Sequence, residues 1–327
     1  MSKYYGFIKK NFDNMNNINI CLCTKDDYYI KYTASLLESL HINKNPSYEY
    51  IIYILWWELS KQTKDNLNAI DKDFIINYIP FSEEEVFSKY KDIPQRDRIY
   101  LYRLFLWDYI KNVDNIIYMD NDIVINWDIS ELFNIDLEDK IAWASLDCIN
   151  RSLYAKNKLP HYFNSWVLLI DINKWNSENI WHKVLQILND NKKDFWTWQD
   201  QDGLNYILDW KWKIISPKRN WIRYNSLSNK WSQYTKQQFY ELNHPVICHF
   251  AWNHNRPRWW LICMHPKRYL YYKNIFKTQY WDKSDVYKFF LRIFTSNFIT
   301  RFIYKTLWYF FWNIALKKRY WEIKNNY

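Results

Sequence analysis

Two carboxylates one residue apart, Asp120 and Asp122, interrupt an apolar run from Asn115 to Asn126, Asn-Ile-Ile-Tyr-Met-Asp-Asn-Asp-Ile-Val-Ile-Asn. Ile116, Ile117 and Tyr118 lead into the acids and Ile123 to Ile125 follow, which places the pair at the end of a buried strand rather than on a solvated face. Unpaired carboxylates are costly to bury. A hard divalent cation taking oxygen ligands would stabilise two of them at a strand end, and magnesium or manganese suits that donor set better than zinc. An isolated D-x-D is also compatible with a short acidic turn, so its neighbours decide. Arg103 lies among Leu101, Leu104 and Leu106 on the amphipathic stretch Arg96 to Ile110, directly before the acidic strand, and a basic group near such a pair suits a diphosphate. Gln199-Asp200-Gln201-Asp202 opens a helix, where acids are favourable whatever their further role.

Elements of alternating type must position these residues. Ile18 to Cys23 reads as a first strand, and Tyr29 to Leu40 as a helix with Tyr32, Leu36, Leu37 and Leu40 on one side; between them lies the turn Thr24-Lys25-Asp26-Asp27-Tyr28. Tyr50 to Leu55 is a strand, Ser60 to Ile70 a helix and Phe74 to Ile79 a strand. This alternation predicts a parallel sheet with helices on both faces. Asp128 is the expected N-cap of a short helix, and Ile141 to Leu146 a strand. An exposed connection, Arg151 to Pro160, precedes the strand Tyr162 to Asp171. A helix follows to Leu188, and Pro245 to Phe250 is a last strand ending in His249.

The 327 residues suffice for one large α/β domain with an appendage, and the 49% hydrophobic content excludes a disordered chain. Residues 1 to 17 are polar and unlike a signal peptide. Five cysteines, at 21, 23, 148, 248 and 263, form no C-x-x-C pair, so reduced thiols in a cytosolic protein are expected, with Cys21 and Cys23, alternating in an apolar segment, filling the core. The net charge of +10 is confined to the end of the chain. From Lys267 to Tyr327 there are 13 Lys and Arg against Asp282, Asp285 and Glu322, and 13 minus 3 is +10. Any role at a polyanion or membrane therefore belongs to that segment.

These segments together resemble glycosyltransferase family 8, the retaining, metal-dependent nucleotide-sugar transferases that include bacterial lipopolysaccharide galactosyl- and glucosyltransferases. The resemblance rests on Tyr118-Met119-Asp120-Asn121-Asp122 followed by Asp128-Ile129 and Leu132, on Phe163-Asn164-Ser165 leading into Val167-Leu168-Leu169, on Gln199-Asp200-Gln201-Asp202, and on His249-Phe250 before Pro257. It implies a Rossmann-like α/β nucleotide-sugar-binding sheet of glycosyltransferase A type over residues 18–275. It also implies that Asp120, Asp122 and His249 ligate Mn²⁺ (or Mg²⁺) bridging the phosphates of a UDP-sugar. Asp27 and Tyr28 look like nucleotide contacts, Arg103 and Arg256 like phosphate contacts, and Asn121, Asn164, Ser165, Asp200 and Gln201 like donor contacts. Gln201 and Asp200 are the catalytic candidates, by double displacement or by a front-face route.

Several positions depart from the pattern. Lys25 stands where the first-turn motif has an acid, and Arg256-Pro257-Arg258-Trp259 replaces Lys-Pro-Trp. Trp166 and Trp252 stand where the family has glycine. The chain holds 2 glycines and 21 tryptophans, whereas average usage would give roughly 23 glycines. Trp127 and Trp143 also fall beside turns. Many of these tryptophans are expected to be UGA codons that the source organism reads as glycine, with Trp175 a genuine one.

In the tail, residues 285–327, Lys288 and Arg292, then Arg301 and Lys305, lie four apart on a helix face opposite Phe289, Ile293, Phe294, Phe298, Phe302 and Ile303. The longest uncharged run there, Thr306 to Leu316, is short of the about 20 residues that span a bilayer. An interfacial anchor on anionic lipid is expected, or else helices packed on the catalytic domain. The sequence thus reads as a cytoplasmic enzyme, peripheral on the inner face of the cell membrane, moving a hexose from a UDP-sugar to a saccharide or glycolipid acceptor. The alternative from another class is a catalytically inactive membrane-associated binding module of the same fold. A nucleic-acid partner is not expected.

Overall fold

Residues that alternate between two apolar clusters along successive strands build a sheet covered on both faces. In β1 (Asn16–Thr24), Ile18, Ile20 and Leu22 pack into one apolar cluster and Cys21 into the other. The computed structural model describes residues 16–24, 27, 29–56, 59–82, 84, 87–88, 101–105, 109–110, 112–147, 161–190, 199–222, 241, 244–251, 265 and 267–295, with backbone alone at 16, 199, 217, 221, 222 and 290–295.

The strands are β1, β2 (Tyr48–Trp56), β3 (Ile75–Pro80), β4 (Asn115–Met119), β5 (Ile123–Ile125), β6 (Ala142–Leu146), β7 (Phe163–Asp171), β8 (Trp212–Ile214), β9 (Trp221–Ile222) and β10 (Ile247–His249). Seven of them form one sheet in the order β3-β2-β1-β4-β7-β6-β8, and β5-β10-β9 form a second. The expected parallel sheet is found except at β7, which runs antiparallel to both β4 and β6 while the other pairs in the large sheet are parallel. β4 and β7 repeat the alternation of β1: Ile116, Tyr118, Leu168 and Ile170 face one cluster, and Ile117, Met119, Val167 and Leu169 face the other. Truncating one such residue, as in Leu169→Ala, would cost about 2–5 kcal/mol through lost burial and a residual cavity.

The helices are α1 (Ile30–Asn43), α2 (Lys61–Asn68), α3 (Ser130–Phe133), α4 (Ile172–Ser177), α5 (Ile180–Asp190), α6 (Gln199–Ile207), α7 (Tyr269–Ile275) and α8 (Lys283–Thr295). Ser60 caps α2 by accepting from the Thr63 N–H at 3.1 Å, and Asp171 caps α4 by accepting from the Lys174 N–H at 2.9 Å. The single helix expected up to Leu188 is two, because Asn179, at φ 52°, takes the left-handed conformation between α4 and α5. Asp128 is not the N-cap of α3; Ile129 holds that position, and Asp128 instead accepts the Ser130 N–H at 2.8 Å in an Asx turn. Within the stretch expected to be the helix Arg96 to Ile110, Tyr102–Phe105 is a 3-10 turn. The connection Arg151 to Pro160 lies outside the described residues.

Gly203, on α6, lets that helix approach α5 closely, since a Cβ there would lie 2.8 Å from Val184 Cγ1. Trp210 follows α6 at φ 62° and is 69% exposed. Cys21 is a buried free thiol in one cluster, as expected of a core filler, with Cys23 half-buried against it; Cys248 is a buried free thiol in the other, and burial pushes Cys21 and Cys248 up. The first turns of α8 are docked: Asp285 is fully buried, and the Phe289 ring lies 5.7 Å from both Tyr272 and Phe276. Among the described residues no helix is long and apolar enough to cross a membrane.

Candidate active site

β4 ends at Met119 and β5 begins at Ile123, so Asp120 to Asp122 form the sharp link between the two sheets. That link is pinned at several points. The Asp120 N–H donates to the Trp166 carbonyl at 3.0 Å, the Phe250 N–H donates to the Asp122 carbonyl at 2.8 Å, and Asn121 Nδ2 donates to the Cys23 carbonyl at 2.7 Å. Pairing of β10 with β5 sets His249 opposite Ile123. One ligand atom each from Asp120, Asp122 and His249 therefore lies within 4.8 Å of the others, with Asp122 and His249 buried. Two carboxylates and an imidazole at this spacing fit a divalent cation of the manganese or magnesium kind. Asn121 Oδ1, beside them in the chain, is buried without a partner among the described residues.

Arg103 is the electrostatic centre of the site. It lies 3.1 Å from Asp120 Oδ1 through Nη2 and 3.3 Å from Asp200 Oδ2 through Nε, and its Nη1 donates to the Ser165 carbonyl at 3.1 Å. Its guanidinium carbon also sits 4.9 Å from the centre of the Tyr118 ring. Burial opposes its charge, yet Asp120, Tyr118 and Asp200 hold its pKa above the ordinary value. Burial likewise pushes the Tyr118 hydroxyl well up, so it stays protonated and donates to Asp120 Oδ1 at 2.6 Å. Asp200 is raised by its own burial, which Arg103 only partly offsets.

The helix-opening cluster meets β7 in a closed amide network. Gln201 Oε1 accepts from the Ser165 N–H at 3.0 Å and from Asn164 Nδ2 at 3.1 Å, while its Nε2 donates to Asp147 Oδ2 at 3.2 Å. Ser165 Oγ donates to Asp200 Oδ2 at 3.2 Å. Asp120, Asp122, His249, Arg103, Asn164, Ser165, Asp200 and Gln201 are thus drawn into one region. Asp27 is exposed and accepts from Thr63 Oγ1 at 2.9 Å. Tyr28, Trp252 and Arg256 lie outside the described residues.

Sequence reasoning passed over four participants. Tyr118 stands two residues before Asp120, a spacing that puts both on one face of a strand, and Asn205 is one helical turn beyond Gln201, donating to its carbonyl at 2.8 Å. Asp147 ends β6 as the acids end β4. Asn220, which links Asn164 to His249 at 2.8 and 3.2 Å, follows a short 3-10 turn and carries no local signal.

The seven-stranded α/β sheet, with a carboxylate and histidine cluster and a buried arginine at its strand ends, has the A-type fold of glycosyltransferases, and solved enzymes share that fold. The structure of the galactosyltransferase LgtC in complex with donor and acceptor sugar analogs matches with a TM-score of 0.70 over 83% of this chain and 100% of that one, at 21% identity. The WbbM bifunctional glycosyltransferase matches with a TM-score of 0.68 over 84% of this chain and 52% of that one, at 16% identity. The family profile described as Glycosyl transferase family 8 matches residues 19–259, and the chain belongs to that family. A putative glycosyltransferase of Haemophilus influenzae is 31% identical over 205 residues, which span 60% of this chain and 61% of that protein. A lipopolysaccharide 1,2-glucosyltransferase of Escherichia coli is 25% identical over 232 residues, 64% of each chain.

Proposed function

We propose that this chain is a retaining transferase that moves a hexose, glucose or galactose, from a UDP-sugar to a saccharide acceptor carried on a lipid. The observation that supports the reading most is the three-ligand cluster, within 4.8 Å, lying against a buried arginine. A divalent cation, Mn²⁺ or Mg²⁺, held by Asp120, Asp122 and His249 would neutralise charge on the diphosphate leaving group. Arg103 adds a permanent cation to the same region, while Asp27, Tyr28 and Arg256 take the nucleotide and phosphates. Asn121, Asn164 and Ser165 complete the donor contacts. Gln201, with its amide oxygen committed to Ser165 and Asn164, acts by holding those residues in place. The Asp200 carboxylate is the group with the chemistry to attack an anomeric carbon, or to stabilise its developing positive charge in a front-face reaction.

Calorimetric titration of UDP with and without Mn²⁺ tests the reading. Wild type binds in a metal-dependent manner, and Asp120→Asn and Asp122→Asn lose that dependence while keeping the fold. Unchanged metal dependence in both variants would sink the metal assignment. Hydrolysis screened across several UDP-sugars identifies the hexose. The contact of the Trp166 indole with the His249 ring, centroids 4.8 Å apart, favours a second reading, an inactive membrane-associated binding module. UDP binding without hydrolysis of any donor would select it.

The basic excess of the tail supports association with anionic membrane. Because residues up to Phe289 are packed on the domain, the deletion that tests this removes 296–327. Flotation with anionic vesicles is lost while UDP binding persists; a truncated chain that floats as well as the intact one removes the anchor from the proposal.

A further inference from the structure

The amides beside His249 form a chain whose polarity the backbone sets. The Trp166 N–H donates to Asn164 Oδ1 at 3.1 Å, which fixes the Asn164 amide with its nitrogen toward Gln201 Oε1 and Asp147 Oδ2, both 3.1 Å away. Gln201 is fixed in the same way, its Oε1 accepting from the Ser165 N–H. Asn220, fully buried, reaches Asn164 Oδ1 at 2.8 Å, and since that oxygen is an acceptor the contact is made by the Asn220 Nδ2–H. Asn220 Oδ1 then faces His249 Nδ1 at 3.2 Å, so the proton of the neutral ring sits on Nδ1. Nε2 faces Asp122 Oδ1 3.2 Å away, the side on which a cation held by both residues would lie, and a cation bound there takes the place of any proton on Nε2.

We infer that Asn220 is a positioning residue that holds His249 in its metal-ligating tautomer; the inference rests on the metal reading above. Long-range ¹H–¹⁵N spectra of the full chain at about pH 8, where an ordinary imidazole is neutral, read the tautomer without any metal. His249, assigned by its loss in His249→Gln, shows an Nδ1–H ring in wild type and not in Asn220→Leu. Mn²⁺ titration followed by electron paramagnetic resonance shows affinity falling about 10- to 100-fold in Asn220→Leu. Asn220→Gln, which keeps both an acceptor for the Nδ1–H and a donor for Asn164 Oδ1, retains more of the affinity than Asn220→Leu and guards against a mere folding defect. An Nε2–H ring in wild type, or equal Mn²⁺ affinity in a folded Asn220→Leu, overturns the inference. An Nδ1–H ring in a chain that takes up no Mn²⁺ overturns the metal reading instead.

A second, independent observation concerns Trp210. Three residues beyond α6, in the turn that the Lys211 N–H closes on the Leu208 carbonyl at 2.8 Å, its φ of 62° is the left-handed conformation that glycine adopts without strain and a bulky residue does not, and the residue is 69% exposed, so burial does not offset the strain. At position 166 an indole presses edge-on against His249, a candidate metal ligand. In a chain with 2 glycines and 21 tryptophans, we infer that positions 166 and 210 are glycine in the native protein, through UGA codons that the source organism reads as glycine. Trp175 is a site of the opposite kind, 1% exposed inside the core, and stays tryptophan. Peptide mass spectrometry of the protein from its native source shows glycine at 166 and 210; tryptophan at either overturns the inference. In the chain as written, Trp210→Gly raises the thermal midpoint by a few degrees, and an unchanged or lower midpoint overturns the strain argument.

Discussion

Replacing Arg103 with Met should expose how strongly the site depends on one guanidinium. The substitution keeps most of the side-chain volume and removes the charge between Asp120 Oδ1 and Asp200 Oδ2, contacts of 3.1 and 3.3 Å. Breaking a buried pair by deleting one partner costs about 3–5 kcal/mol, because the remaining charge stays buried. Here the lower end applies. The Asp120 side chain is 19% exposed and keeps the Tyr118 hydroxyl, and Asp200 keeps that of Ser165. About 3 kcal/mol translates into a midpoint roughly 4–5 °C lower in a chain of this size. The sign of the pH dependence follows from Asp200, whose carboxyl is already raised by burial and loses in the variant the one cation that lowers it. An acid with a raised folded pKa costs stability as pH rises above its unfolded value of about 3.9, so the deficit is small in acid and full near neutrality. Thermal unfolding of both proteins from acid to neutral pH, repeated with Mn²⁺, measures all of this. Mn²⁺ should recover a larger share of stability in the variant, where Asp120 lacks its competing cation. A midpoint within about 1 kcal/mol of wild type at neutral pH, with no dependence on pH, would refute the reasoning.

Asp71 gives the opposite sign. Burial raises its carboxyl, but hydrogen bonds from Lys44 at 2.6 Å and His41 at 2.7 Å outweigh that and leave it below its ordinary value. Its contribution is present above about pH 4 and disappears as pH falls through the folded value, so Asp71→Asn should cost about 1–2 kcal/mol at neutrality and nothing in strong acid, as read by denaturant midpoints. Gly203→Ala should cost about 1–3 kcal/mol by overpacking, and Val184→Ala in the same chain should return part of it, since the added Cβ would lie 2.8 Å from Val184 Cγ1. An alanine variant as stable as wild type removes the close approach of α5 and α6 as the reason for that glycine.

The first half of the fold was legible because its signals are local. Apolar runs bounded by turns gave β1, β2 and β3, and four-residue periodicity gave α1. The reversal of β7 was not, since Val167 to Ile170 would be equally apolar in either direction; only its partners, Met119 opposite Val167 and Asn115 opposite Asp171, reveal it. In the site, Asp120 and Asp122 were visible as acids interrupting a buried strand. Asn220 and Asp147 were not, because a lone polar residue beside a turn looks the same whether it faces water or a histidine. The break at Asn179 was missed because helical periodicity resumes immediately beyond it, in Ile180, Val184 and Leu188.

The pairing of β5 with β10 couples the order of folding to the completion of the cluster. Asp122 and His249 are 127 residues apart in the chain, and they meet only when β10 closes on β5, with Cys248 opposite Val124 and His249 opposite Ile123. Closing so long a loop is slow, and its entropic cost falls once β7 has paired with β4 and β6 with β7. A chain still short of its last strand can therefore display the two acids but not the third ligand. Cation uptake at full affinity would mark the finished molecule, and in hydrogen exchange β5 and β10 should gain protection together when Mn²⁺ is added.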